Sequence, residues 1–393
     1  MNRSPQRVAF INGVPVGKGG IEKAIMDVYN GIDQQQLQID FIVRKPQKGY
    51  YHDEIESSGG EIINIFENKK HKGNKKWNVL MDIYSVFSFY KNLKSRNCYR
   101  VVHIAHPLLD GFLIIAAKLA GVPVRIVHSN NTGIDDYTKT GITTKITRKL
   151  RRYVCNRFAT HIWGCSEAAC EYLFDKKILQ DPRTEIVPYP VVIKDFKDIK
   201  IDKIEAREKL GVPTSTINYV NVGRYATQKN QIFLLDFFVE MLRIRSDLHL
   251  MLTGPGPLED QIRQRIKDLN LESHVTMLDS DSYIPVVLKA SDYFLLPSIY
   301  EGFGIVLIEA QALGIPCFVS DACQPEPNEG LVDYIPLNKG ALYWAEYIVS
   351  QIGLIDKREV DLSNLLKYDV SNVAPRMQRV YLEGIKYSDA STN

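Results

Sequence analysis

Four short stretches, each following an apolar run that reads as a strand, carry the residue types that chemistry needs. Glu301-Gly-Phe-Gly-Ile-Val-Leu-Ile-Glu309 is a loop with two glycines, Gly302 and Gly304, that runs directly into a helix. Bare backbone N–H groups at such a helix start can hold an anion. Glu301 precedes the helix, and Glu309 lies about a turn and a half into it, within reach of a hydroxylated ring. Two carboxylates flanking an anion site suit a ligand with hydroxyls on both sides of a phosphate group, as in a nucleotide sugar. Alone, the spacing fits a surface acid and a helical glutamate equally well.

The neighbouring stretches narrow the choice. Gly223-Arg224-Tyr-Ala-Thr-Gln-Lys229-Asn230 also follows a strand. An arginine fork with a lysine point charge suits a diphosphate and offsets the charge that builds on a departing nucleoside diphosphate. Thr253-Gly-Pro-Gly256 ends the next strand and reads as a tight turn rather than a ligand loop. Nearer the N-terminus, Gly17-Lys-Gly19-Gly20-Ile-Glu22 opens a helix and permits close backbone approach to a phosphate or sugar. It is neither a Walker A loop nor G-x-G-x-x-G. In His128-Ser-Asn-Asn131 the histidine can donate to a sugar hydroxyl or steady developing charge; a hydrogen-bonded loop histidine is the bland alternative.

Other chemistries find little support. His103 and His106 flank a strand end without an evident third ligand, so no metal is expected. No G-x-S-x-G elbow occurs, and Ser166 reads as a helix N-cap, which counts against a hydrolase. The six cysteines form no C-x-x-C pair and read as small buried hydrophobes.

The elements that must position these residues alternate. Val8–Asn12, Asp40–Val43, Glu61–Ile65, Arg100–Ile104, Val124–Val127 and His161–Gly164 read as strands. Between them lie helical stretches, including Ile21 to Tyr29 and Val79 to Leu93, the latter with Leu80, Ile83, Val86, Phe87 and Tyr90 turned inward. The pattern restarts with strands Ile217–Val222, His249–Thr253, Val275–Leu278, Tyr293–Pro297 and Pro316–Ser320. Strands separated by helices imply parallel sheets covered on both faces. The 393 residues, at about 150 per domain, therefore divide into an acceptor-side domain, 1–190, and a ligand-binding domain, 191–372. Between them the proline-bearing stretch from Pro188 to Lys203 reads as a linker. A final helix in 373–393 crosses back. The expected class is α/β, two Rossmann-like parallel-sheet domains facing a central cleft, with ligands at the carboxyl ends of the strands.

Charge is uneven. The net charge of +3 divides into 25 Lys and Arg against 13 Asp and Glu over residues 1–160, and 24 against 33 over the rest. The basic half suggests phosphate or an anionic membrane surface as a partner, with drift in surface composition as the alternative. No apolar run is long enough to span a membrane, and the first is too short for a signal peptide, so a cytoplasmic protein is expected.

Taken in order, these stretches resemble the retaining nucleotide-sugar glycosyltransferases of family 4, which have the GT-B fold, and most of all the bacterial enzymes of capsular or exopolysaccharide assembly. Gly19-Gly20-Ile-Glu22, Met26 to Asp33, His128-Ser-Asn-Asn131, Cys165-Ser-Glu167, Val222-Gly-Arg224 with Gln228-Lys-Asn230, Leu296-Pro-Ser298, and Glu301 to Glu309 with Ala310-Gln-Ala312 carry the likeness. It implies retaining, metal-free hexosyl or N-acetylhexosaminyl transfer from a nucleoside-diphosphate sugar, UDP-linked in preference to GDP-linked, with no permanently bound cofactor. By likeness Arg224 and Lys229 hold the diphosphate and Glu309 the ribose. Glu301 and the amides of 303–305 take the donor sugar or phosphate, with His128 and the Gly19–Gly20 loop at the reacting centre. Relatives often carry a second histidine where Asn130 stands, a Pro-Asn-Gly-Ile-Asp-like run where Pro188 to Ile193 stands, and a glycine near Asp279-Ser280.

The acceptor implied is a glycan or lipid-linked glycan. The basic stretches Lys69 to Trp77 and Lys145 to Arg157 offer a peripheral contact with an anionic inner membrane face. For the second, a core helix with Ile146, Leu150, Val154 and Phe158 turned inward is the alternative. A non-catalytic nucleotide-sugar binder and a sugar-nucleotide epimerase of similar architecture are the competing functions. Nucleic-acid binding is suggested by charge alone, without a recognised module, and is not expected.

Overall fold

A computed structural model describes residues 4–13, 19–44, 48–65, 77–133, 142–354 and 361–390. The chain divides into two units: one runs to Pro190 and resumes at Val370, and the other is Val191–Asp369.

The first unit contains β1 (Gln6–Gly13), β2 (Leu37–Val43), β3 (Ile62–Asn64), β4 (Tyr99–Ile104), β5 (Val124–Ser129), β6 (His161–Gly164) and β7 (Thr184–Ile186). All pair in parallel, in the order β3-β2-β1-β4-β5-β6-β7. Every residue of β2 is buried, as expected of a strand covered on both faces. Its one acid, Asp40, is tolerated there because Arg7 and the Tyr99 hydroxyl both donate to it, at 2.7 Å. The helix Val370–Glu383 packs on the helix Gly20–Gly31.

The second unit contains β8 (Ile217–Val222), β9 (Leu248–Thr253), β10 (Val275–Leu278), β11 (Tyr293–Leu296), β12 (Cys317–Ser320) and β13 (Val332–Ile335), again all parallel, in the order β10-β9-β8-β11-β12-β13. Phe237, Phe238, Tyr219 and Trp344 fill one side of that sheet. In each sheet the winding reverses beside the unit's first strand, between β1 and β4 and between β8 and β11. Loops leaving such a pair of strands splay apart, which is why ligand sites form there.

Two faces differ from expectation. On the helix Trp77–Arg96, Ile83 and Phe87 point outward, 63% and 53% exposed, and the buried row is Met81, Ser85, Phe89 and Leu93. Val86 and Tyr90 do pack against the core, so hydrophobicity placed the face only in part; the inward side also carries Asp82, which is ion-paired to Arg151 at 2.6 Å. On the helix Ile142–Phe158, Ile146 and Leu150 are likewise exposed, while Val154 is buried. β7, β13 and the helix Gly340–Gln351 carried no signal strong enough to be read. Ser166 is the expected N-cap, accepting from the Ala169 amide. No cysteine forms a disulfide, and all but the half-buried Cys98 are buried.

Candidate active site

In the second unit, the loops leaving the two strands at the switch point are the ones singled out by sequence. They are clasped together. The Ile299 amide donates to the Gln228 carbonyl (2.8 Å), the Gln228 side chain donates to the Tyr300 carbonyl (3.1 Å), and Lys229 Nζ meets Glu301 Oε2 at 2.7 Å. Ser298 Oγ donates to the same carboxylate oxygen at 3.1 Å, and Gln324 donates to the Glu301 carbonyl. Glu301 is therefore a largely enclosed carboxylate fixed by a cation and a hydroxyl, which is what a buried charge requires.

Arg224 stands at the rim of the same loop. Its side chain is exposed and forms no ion pair among the described residues. The backbone beneath it is rigid, since Gln231 Nε2 donates to the Arg224 carbonyl at 3.1 Å and the Tyr225 amide donates to that of Pro255. The Thr253 to Gly256 turn has a structural purpose here. A Cβ on Gly254 (φ +146°) would collide with the Gly223 carbonyl, so the two loops approach only because that residue is glycine.

Gly304 (φ +86°) turns the chain from the Glu301 loop into the helix Ile305–Ala312, whose start has no side-chain cap. Phe303 and Gly304, which precede that uncapped start, are buried. Glu309 sits one turn into that helix with only a small exposed portion. Cys323 lies close by, but burial pushes its thiol up to about 12 and leaves it inert.

In the first unit, Gly19 and Gly20 are exposed at the start of the helix Gly20–Gly31, where Gly19 supplies no cap side chain. Gly17 and Lys18 lie outside the described residues. His128, expected at a ligand edge, is fully enclosed: Nε2 lies 3.0 Å from the Val187 carbonyl, and the ring stacks between His103 and Tyr189. A carbonyl can only accept, so Nε2 carries the proton. Asn130, two residues on, takes the half-buried position at the strand end and donates to the Ala105 carbonyl.

Burial holds His128 down to about 3, against the opposing pull of the Val187 carbonyl, and holds His103 well below its ordinary value. Their contribution to stability is full above the unfolded-chain value near 6.5 and is lost as pH falls below it, by about 1.4 kcal/mol per pH unit for each histidine, down to about 3 in the case of His128. Urea midpoints for the first unit should accordingly fall between pH 7 and pH 5. Equal midpoints would show that these rings are already protonated in the fold.

The structure thus brings Lys229 and Glu301 into contact, sets Arg224 and the glycine turn beside them, and encloses His128 in the other unit. Sequence reasoning named Gln228 and Ser298 only within the stretches that carry the family likeness, without a role, and missed Gln324. Their signal was adjacency to strand ends, which hydropathy does not rank. Among the described residues, no group of three His, Cys, Asp or Glu could hold a metal ion.

Two family models match the chain: Glycosyltransferase Family 4 over residues 18–194 and Glycosyl transferases group 1 over residues 202–328. EpsF of Bacillus subtilis, named as a glycosyltransferase, is 30% identical over 88% of this chain and 88% of its own length. The UDP-Gal:alpha-D-GlcNAc-diphosphoundecaprenol alpha-1,3-galactosyltransferase of Escherichia coli is 27% identical over 80% of this chain and 79% of its own. Among solved structures, Anabaena HepE in complex with UDP-glucose superposes with a TM-score of 0.74 over 96% of this chain and all of its own, at 17% identity. With the two parallel sheets and the strand-end loops already described, these likenesses establish that the chain belongs to the family 4 glycosyltransferases of GT-B fold.

Proposed function

We propose that the protein transfers a hexosyl or N-acetylhexosaminyl unit from a UDP-sugar to a glycan or lipid-linked glycan during assembly of a surface polysaccharide, with retention at the anomeric carbon. The observation that carries this reading is the clasped pair of loops in the second unit. It joins Lys229, on a loop that also carries Arg224, to Glu301 at 2.7 Å, with the helix of Glu309 following the Glu301 loop. In this reading Arg224, Lys229 and the amides of Phe303, Gly304 and Ile305 receive the diphosphate. Glu301 takes the donor sugar and Glu309 the ribose. The C1–oxygen bond to the diphosphate breaks as positive charge gathers against the departing phosphate. The acceptor oxygen bonds to C1 from the same face, and its proton passes to the leaving phosphate oxygen. No side-chain base is required for this course.

His128, neutral and enclosed, is assigned a positioning role through Val187 and Tyr189. The Gly19–Gly20 backbone, exposed at the start of its helix, is assigned to meet the ligand from the first unit. The UDP assignment is supported by the UDP-glucose bound to HepE and by the UDP-galactose named for the Escherichia coli relative. An anionic membrane surface, where a lipid-linked acceptor resides, completes the reading.

The test is turnover of a panel of UDP- and GDP-sugars with a polyprenyl-diphosphate glycan acceptor, with the new linkage read by NMR. An α-donor should give an α-linked product. An inverted linkage removes the retaining assignment, and conversion of the donor without acceptor identifies an epimerase. Glu309→Ala is expected to weaken UDP binding about tenfold, the scale of one lost hydrogen bond to a charged group. Calorimetry with UDP checks this, and wild-type affinity would remove Glu309 from the nucleotide site.

A further inference from the structure

A groove runs along the outer edge of the first unit's sheet. β3 is the edge strand, and the helix Trp77–Arg96 lies beside it; between them is a cavity of about 980 Å³, the size of a ligand pocket. Glu61 to Ile65 form one wall. Tyr84, Ser88, Asn92 and Ser95 form the other, and their spacing of four, four and three puts them in one row along the helix. The first three are half-buried and Ser95 is exposed.

A tyrosine presents an apolar ring with a polar tip, and the amide and hydroxyls in its row both donate and accept. That combination suits a hydroxylated ring better than an apolar ligand. The charge is one-sided. Glu61, the one acid among the described lining residues, is already taken by Arg96 at 2.8 Å and Arg7 at 3.4 Å. Lys91 and Lys94 also line the groove and are exposed. The unopposed charge is positive, and its complement is an acidic ligand. An acidic peptide is the rival occupant. It would bind by extending the sheet, a mode that draws its affinity from main-chain hydrogen bonds, and β3 offers only three residues for pairing. An acidic saccharide instead uses the side chains that line the walls.

We propose that this groove binds an anionic glycan chain. β3 lies two strands from β1 and runs parallel with the rest of the sheet, about 10 Å away at the usual strand spacing. The Ile65 end of the groove therefore opens on the same side of the sheet as the Gly19–Gly20 loop, and a polysaccharide whose end is held at that loop can continue down the edge. That purpose rests on the transferase reading; the binding chemistry of the groove does not. The Lys69 to Lys76 stretch, which follows Ile65, lies outside the described residues and is no part of the site.

The experiment is calorimetry of the full chain at low ionic strength with three probes: hexagalacturonate, maltohexaose and hexaglutamate. Wild type should bind hexagalacturonate about tenfold more tightly than maltohexaose and should not bind hexaglutamate. Lys91→Glu with Lys94→Glu should abolish that preference, the scale expected for two reversed surface charges. Tyr84→Ala should weaken both saccharides. UDP affinity and turnover with a short acceptor should not change in either variant, because none of the three side chains belongs to the transfer site. Tyr84 packs partly on the core, so the melting temperature of that variant is read alongside; the two lysines are exposed, and their variant decides the matter if the alanine variant is unstable. Wild type that binds neither saccharide, binds both equally, or keeps its preference in the lysine variant overturns the proposal. So does hexaglutamate bound as tightly as hexagalacturonate, since the groove then takes a peptide. A chain that binds hexagalacturonate here but transfers no sugar keeps this inference and loses the transferase reading. One that transfers sugar and binds no saccharide in the groove does the reverse.

Discussion

Lys229→Ala is expected to lower turnover about 100- to 1000-fold, the range seen when one preorganised charge is removed from a developing anion. The side chain is largely buried and meets Glu301 at 2.7 Å. A buried lysine is held ready for ligand by such a pairing, which fixes its geometry before charge develops on the leaving group. Alanine removes both that charge and the partner of an enclosed carboxylate, so some stability is also lost. Two comparisons separate these effects. Lys229→Arg keeps the charge and should recover part of the turnover, and the melting temperature reports the structural cost directly. Arg224→Ala acts in the same direction with little effect on stability, because that side chain is exposed. Wild-type rates in Lys229→Ala and Arg224→Ala, measured as UDP released with acceptor present, would overturn the diphosphate assignment.

Glu301→Gln should split two quantities that usually move together. In the free protein the carboxylate holds Lys229 and accepts from Ser298 Oγ at 3.1 Å. The neutral amide no longer competes for the lysine, so the diphosphate of UDP meets a less occupied cation. UDP affinity should stay level or rise. Turnover should nonetheless fall about 100-fold, since the carboxylate proposed to take the donor sugar is gone and contacts that orient the reacting carbon contribute on that scale. Calorimetry for UDP, set beside steady-state rates for the UDP-sugar, checks both halves. A variant with normal turnover removes Glu301 from the reacting centre. One with weakened UDP binding shows instead that the carboxylate supports the phosphate loop as structure.

The sequence by itself determined the alternation of most elements, the parallel α/β class and the loops on which the chemistry falls. Apolar runs bounded by glycine at strand ends, as in Val222-Gly223, are local patterns that survive without knowledge of the fold. Family membership was legible for the same reason, since an ordered set of short motifs is specific where each motif is not. Short strands such as Thr184–Ile186 were not legible, because three residues are too few to establish a period.

Which side of a helix faces inward was decided by tertiary structure. The rows Met81–Ser85–Phe89–Leu93 and Arg151–Val154–Cys155 are inward because Asp82 and Arg151 satisfy each other there. A contact between distant segments helps to fix each face, and no single helix contains the information. The same holds at the site. Sequence named Lys229 and Glu301 separately, 72 positions apart, and only the adjacency of β8 and β11 put them in contact. His128 shows the converse: its residue type invited a chemical role, and the packing of His103, Tyr189 and Val187 around it made it a neutral, enclosed ring, because burial disfavours its charged form.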